Sequence, residues 1–129
     1  MSDGKKVLII EDDDFLIQMY ATKLELENFS VLMATDGAKG LKMVAKERPD
    51  LVLLDLNLPV MDGFAVLEEL KKNSETRAIP VLVLTNYGQK DKVDKCLNLG
   101  AEDYLIKAHF VPSEVIDRIK KIIDKHDQR

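Results

Sequence analysis

Five short apolar runs, each followed by a stretch with helical spacing, constrain this chain more than any other feature. The runs are "KVLII" (6–10), "SVLMA" (30–34), "DLVLLD" (50–55), "IPVLVLT" (79–85) and "DYLIK" (103–107). In the first, third and fourth, apolar residues stand at successive positions rather than alternate ones. A strand with one face in water alternates, whereas a strand covered on both faces does not. Between the runs, apolar residues recur every three or four positions: Phe15, Leu16, Met19, Tyr20 and Leu24, with Lys23 on the same stripe; Ala38, Leu41, Val44 and Ala45; Phe64, Val66, Leu67 and Leu70; Val115, Ile116, Ile119, Ile122 and Ile123. The local signals agree with these boundaries. Asp13 or Asp14 suits the N-cap of a first helix, Asp36–Gly37 opens a second, and Pro49 stops it. The spacing predicts a third helix over 63–72 and a fourth over about 89–99, with Gly100 placed to close it. Pro112 opens the fifth.

A strand followed by a helix, five times over, predicts an α/β fold of the doubly wound kind. Its parallel sheet carries helices on both faces and right-handed crossovers. With 129 residues the chain is expected to form one domain, 1–129. No apolar run approaches the ~18 residues of a membrane span, and "MSDGKK" has no apolar segment suited to secretion. Cys96 is alone, so it cannot pair internally, and it reads as a packing residue in a reducing cytoplasm. A net charge of -4 argues against nucleic acid as the main direct partner.

In a parallel sheet of this kind ligands gather at the C-terminal ends of the strands. There the chain places Glu11–Asp12, Asp55, Thr85 and Lys107, while the second strand runs out in Ala34–Thr35 and reads as an edge. Three carboxylates in one pocket repel: at 4 Å and an effective dielectric of 20, each pair costs about 4 kcal/mol. A cation relieves that repulsion. Oxygen-only donors beside an open face suit Mg²⁺, which prefers sites shared with phosphate. Lys107 can neutralise one phosphoryl oxygen and Thr85 can donate to another, leaving Asp55 as the candidate nucleophile. Asp13 and Asp14 have a simpler role, because acids at a helix start complement its dipole.

Together these residues resemble a response-regulator receiver domain, the CheY-like phosphoacceptor of two-component signalling. The resemblance runs from Lys6 to about Lys125 and is strongest in "DLNLPVMDG", Asp55 to Gly63, which fits the pattern Asp-x-x-Leu/Met-Pro-x-Met/Leu-Asp/Asn-Gly. It implies a flavodoxin-like sheet of order 2-1-3-4-5. It implies that Asp55 accepts a phosphoryl group from a sensor histidine kinase or phosphotransfer protein. Asp12 and Asp55 would bind Mg²⁺ directly with the Asn57 carbonyl, and Glu11 through water. Lys107 would hold the phosphoryl group, Thr85 would move inward, and Tyr104 would follow from exposed to buried. The face of helix 4, strand 5 and helix 5 would then meet a downstream protein. The alternative for Tyr104 is a half-buried strand aromatic with its hydroxyl in water. Catalysis would be limited to the protein's own phosphotransfer and dephosphorylation, with no membrane contact and a monomer or weak homodimer as the working form. The absence of a following DNA-binding module suggests a stand-alone receiver or one separated from its output domain.

Two other classes fit less well. A haloacid-dehalogenase-like phosphatase needs an acid two residues after its nucleophile. Here that position is Asn57, which cannot transfer the proton, and the chain is short for a substrate cap. A receiver-like module that is never phosphorylated would not need the full set of site residues. The sequence departs from the receiver pattern at Ala108, where Pro is usual; a trans Lys107–Ala108 bond and an altered loop through His109, Phe110 and Val111 are expected. Asn86 is larger than the usual residue there, and Tyr87 is expected to overhang the pocket mouth. Asn57 and Tyr87 are positions expected to tune water access and hence dephosphorylation. His109 and His126 read as loop and solvated residues. Lys90, Lys92, Lys95, Arg118, Lys120, Lys121 and Lys125 read as solvated faces first and as docking for an acidic partner second.

Overall fold

The structure is a computed structural model that describes residues 4–127. Five strands, β1 (Lys6–Ile10), β2 (Ser30–Ala34), β3 (Leu51–Leu54), β4 (Val81–Thr85) and β5 (Asp103–Ile106), alternate with five α-helices. The helices are α1 (Asp14–Leu26), α2 (Gly37–Glu47), α3 (Gly63–Lys72), α4 (Lys90–Leu99) and α5 (Pro112–Asp127). The strands are all parallel and lie in the order β2-β1-β3-β4-β5.

The continuous apolar runs are explained by two cores, one on each face. Val7 and Ile9 of β1, Leu51 and Leu53 of β3, and Leu82 and Leu84 of β4 pack under α1 and α5. Their neighbours Leu8, Ile10, Val52, Leu54, Val81 and Val83 point the other way, beneath α2, α3 and the Cys96 face of α4. Cys96 is fully buried, and burial pushes its thiol up to about 11. It is a packing thiol that stays protonated at neutral pH.

The helix signals read from sequence recur with small shifts. Asp13 and Asp36 cap α1 and α2 as expected, and Asp62, not read as a cap from the sequence, caps α3; each accepts from the backbone N–H three residues on. Gln89 precedes α4 without a side-chain cap, and Gly100 closes it at φ 110. One stripe differs from expectation. The buried face of α1 is Ile17, Tyr20, Ala21 and Leu24, whereas Phe15 is 77% exposed. Positions 17, 20, 21 and 24 keep the i, i+3, i+4, i+7 spacing that meets a flat sheet; Phe15 stands in the first turn, off that line. Strand β5 also ends one residue early, and Lys107 begins a 3₁₀ turn over Lys107–His109. No peptide bond among the described residues is cis, so Lys107–Ala108 is trans as expected. No helix among them is long and apolar enough to cross a membrane.

The division of the acidic run between site and cap can be measured. Asp13→Ala removes the bond to the Leu16 N–H and should cost about 1 kcal/mol in urea denaturation. Its effect on divalent-cation affinity should stay within about a factor of two, because the Asp13 carboxylate is exposed, caps α1 and is screened by solvent, while its backbone N–H to Glu11 is kept. A tenfold loss of affinity would place Asp13 in the site.

Candidate functional site

Parallel strands deliver their C-terminal ends to one edge, and that edge collects the polar residues of this fold. Continuation of the β1 ladder, with the Glu11 N–H donating to the Ala34 carbonyl at 3.0 Å, seats Glu11 just beyond the strand. The Asp55 N–H donates to the Ile10 carbonyl at 3.0 Å and fixes Asp55 alongside it. Glu11 and Asp55 are buried, Asp12 is exposed, and Thr85 is buried as the last residue of β4.

Lys107 enters this pocket from the 3₁₀ turn. Its Nζ lies 2.7 Å from Glu11 Oε1 and 2.9 Å from Asp55 Oδ2. The second oxygen of each acid is held by backbone: Glu11 Oε2 accepts from the Asp13 N–H at 3.1 Å, and Asp55 Oδ1 from the Asn57 N–H at 3.2 Å. Asp12 completes the group, with one oxygen from each of Glu11, Asp12 and Asp55 within 4.8 Å of the others. One ammonium thus faces three carboxylates. Burial, reinforced by the charge of Asp55, raises the Glu11 carboxyl above its usual range despite the bonds from Lys107 and the Asp13 N–H. Burial acts to lower Lys107, but its bonds to Glu11 and Asp55 win and hold it above its usual value. The arrangement is a negative pocket with an open side at Asp12, suited to a hard cation and to an oxyanion beside it.

The segment from Asp55 to Gly63 clamps Asp55 in place. Leu56 and Leu58 are buried, the Gly63 N–H donates to the Leu56 carbonyl at 2.9 Å, and Asp62 caps α3. Pro59 accepts from the Met61 N–H at 2.8 Å and from the Gly37 N–H at 3.4 Å, which ties the loop to the start of α2. Between them Val60 sits at φ 70 with its side chain 83% exposed.

The residues assigned by resemblance fall at several depths. Tyr104 is half-buried, and its hydroxyl is not free in water: it donates to the Tyr87 carbonyl at 2.5 Å. Burial pushes that phenol up to about 12. The Tyr87 ring packs at the edge of the α2–α4 core, with Lys92 Nζ 4.9 Å from its centroid, and Asn86 is exposed. His109 is exposed, but His126 is not a free solvated residue: Nε2 lies 2.9 Å from Glu102 Oε1, beside Lys125. Burial tends to raise Glu102, but the bonds from His126 and Lys125 hold it below its usual range. Several basic side chains are also paired within the chain, while Lys90 stays largely in solvent and Lys121 is exposed. Arg118 pairs with Asp103, Lys120 with Glu27 and Lys90 with Asp94, and Lys95 covers the Phe64 ring. One polar residue reaches the site without having been read as part of it: Tyr20, a member of the α1 stripe, lines the floor of the pocket. Its hydroxyl among apolar positions was the available signal.

Comparison with known proteins agrees with this geometry. Residues 7–120 match the response regulator receiver domain. The DNA-binding dual master transcriptional regulator RpaA of a Synechocystis strain is 38% identical over 124 residues, which cover 95% of this chain and 51% of that protein. The chain spans about half the length of the curated relatives it matches. A CheY-like receiver domain protein of Methanospirillum hungatei superposes with a TM-score of 0.90 at 28% identity, covering 98% of each chain. The Mn²⁺-bound form of response regulator Rcp1 gives 0.78 at 29% identity, covering 92% of this chain and 91% of that one. By its sequence, its strand order and the acids at its strand ends, the chain belongs to the response regulator receiver domain family.

Proposed function

We propose that Asp55 is the phosphoacceptor and that its phosphorylation, in the presence of Mg²⁺, is the signal this domain carries. The observation that carries the reading is Lys107 bridging Glu11 and Asp55 at 2.7 and 2.9 Å, beside an exposed third acid. The donor set fits Mg²⁺, since it is all oxygen and open on one side. Asp12, Asp55 and the Asn57 carbonyl would hold the ion, with Glu11 acting through water. When bound, it would supply positive charge between carboxylate and phosphoryl oxygens.

The phosphodonor is a phosphohistidine of a sensor kinase or phosphotransfer protein. An Asp55 carboxylate oxygen attacks phosphorus, a P–O bond forms as the P–N bond breaks, and the imidazole departs with the bond's electron pair. Lys107 already touches Asp55 and needs only to exchange a carboxylate for a phosphoryl oxygen. Thr85 donates its hydroxyl to another oxygen. Asn57 and Tyr87 border the approach of water and set the lifetime of the product.

Phosphorylation adds about -1.5 to -2 charges at one point. Thr85 and Tyr104 relay this to the α4–β5–α5 face, where a downstream protein reads it. The Tyr104–Tyr87 bond, which joins β5 to the loop before α4, is the contact that such a shift has to break. Incubation with Mg²⁺ and a small acyl phosphate should add one phosphoryl group by intact mass, and Asp55→Asn should abolish it. No gain, or gain that survives Asp55→Asn, overturns the reading.

A further inference from the structure

Beneath the acidic cluster lies a small cavity of about 10 Å³, lined by Ile9, Leu53 and Leu84 and by three polar residues, Glu11, Asp55 and Tyr20. This is about the least space that admits one water, and a buried water needs two to four polar partners. Tyr20 is 5% exposed, yet its hydroxyl has no hydrogen-bond partner among the described residues. Every fully enclosed polar side-chain atom among those residues does have a partner. The Tyr20 hydroxyl therefore opens on space that a water can reach.

The hydrogen-bond inventory completes the picture. Glu11 and Asp55 each use two acceptor positions, on Lys107 and on a backbone N–H. A carboxylate offers about four, so both have acceptor capacity left. Tyr20 carries a donor with nothing to donate to. Burial raises its phenol further above its usual value, and the charges of Lys107 and Glu11 both act on it.

We propose that Tyr20 is a positioning residue of the phosphorylation site: its O–H holds one water in this cavity, and that water donates to Glu11 and to Asp55. The water makes three hydrogen bonds and bridges two acids from different strands. It fixes both carboxylates from below, while Lys107 fixes them from the side. A phenylalanine fills the core as well but supplies no donor, so the role belongs to the hydroxyl and not to the ring.

This inference rests on the phosphoacceptor reading, and its test separates the two. Mg²⁺ affinity is measured by calorimetry, and acyl-phosphate labelling is followed against Mg²⁺ concentration, for wild type, Tyr20→Phe and Tyr20→Leu. Loss of a partner that orients a metal ligand weakens binding by 10-fold or more. Tyr20→Phe should therefore raise the Mg²⁺ Kd about 10-fold and move the labelling curve to higher Mg²⁺, with its metal-free melting temperature unchanged. Tyr20→Leu should show the same shift in Kd together with a lower melting temperature. A Tyr20→Phe protein with wild-type Kd and labelling overturns the inference and leaves Tyr20 as packing alone, with the phosphoacceptor reading intact. Wild-type protein that neither binds Mg²⁺ nor becomes labelled overturns both.

Discussion

Lys107→Met should destabilise the cation-free protein by about 3–5 kcal/mol at neutral pH, the cost of removing one partner from a buried ion pair. The side chains of Lys107, Glu11 and Asp55 are 13%, 6% and 8% exposed, so water does little of the screening. Methionine keeps most of the apolar stem and takes away only the charge. Glu11 and Asp55 are then left facing each other. Glu11, already raised by burial, should rise further without its ammonium. A carboxyl that protonates more readily in the folded state than in the unfolded one makes stability fall as pH rises above its unfolded value, and recover as pH falls. The deficit of Lys107→Met should therefore be largest at pH 7 and shrink towards pH 5. Mg²⁺ binds the folded state and should restore part of it at constant pH. Urea denaturation at both pH values, with and without Mg²⁺, measures all three effects. A deficit below about 1 kcal/mol, or one that neither acid nor Mg²⁺ diminishes, would show that Lys107 is not the charge that balances the pocket.

The site was legible before its coordinates because topology does most of the assembly. Once Val7–Ile10, Leu51–Leu54 and Val81–Leu84 are read as strands covered on both faces, a parallel sheet follows. The residues that end its strands then share one edge. Glu11, Asp12, Asp55 and Lys107 converge for that reason, and Thr85 ends β4 on the same edge. Caps such as Asp13 and Asp36 are local and equally readable. Features that depend on where two surfaces meet are not. The stretch around α1 has apolar residues at 15, 16, 17, 19, 20, 21, 24 and 26. Several stripes satisfy that pattern, and only docking against the sheet selects Ile17, Tyr20, Ala21 and Leu24. The pairing of His126 with Glu102 and of Lys120 with Glu27 joins residues 24 and 93 positions apart, and residue type alone does not choose among many possible partners. The Tyr104 hydroxyl finds the Tyr87 carbonyl because the loop after β4 folds back over β5, a path that no spacing rule encodes.

Gly63→Ala should impair folding and phosphorylation together, through a single methyl group. Gly63 opens α3 at the end of the loop that carries Asp55, and its φ is not in the left-handed region, so freedom of the backbone is not what requires glycine. Space is. A Cβ at this position would lie 2.4 Å from the Asp55 carbonyl oxygen and 2.5 Å from the Leu56 Cα. Both are backbone atoms and cannot rotate away. The start of α3 and the strand end must separate, which breaks the Gly63–Leu56 hydrogen bond and displaces Asp55. Overpacking usually costs about 1–3 kcal/mol, and a rigid neighbour puts this case at or above the upper end. A shift of ~1 Å in a reacting group can cost ~100-fold in rate, so labelling by acyl phosphate should slow by at least 10-fold even where the variant is fully folded. Gly88→Ala is the control, because its Cβ would meet only the Ile106 Cδ1 at 3.3 Å, the movable end of a side chain. That variant should stay within about 1 kcal/mol of wild type. Measuring melting temperature and labelling rate on both separates the causes: a Gly63→Ala protein with wild-type stability and rate would mean that the loop yields without moving Asp55, and the clamp would be no clamp.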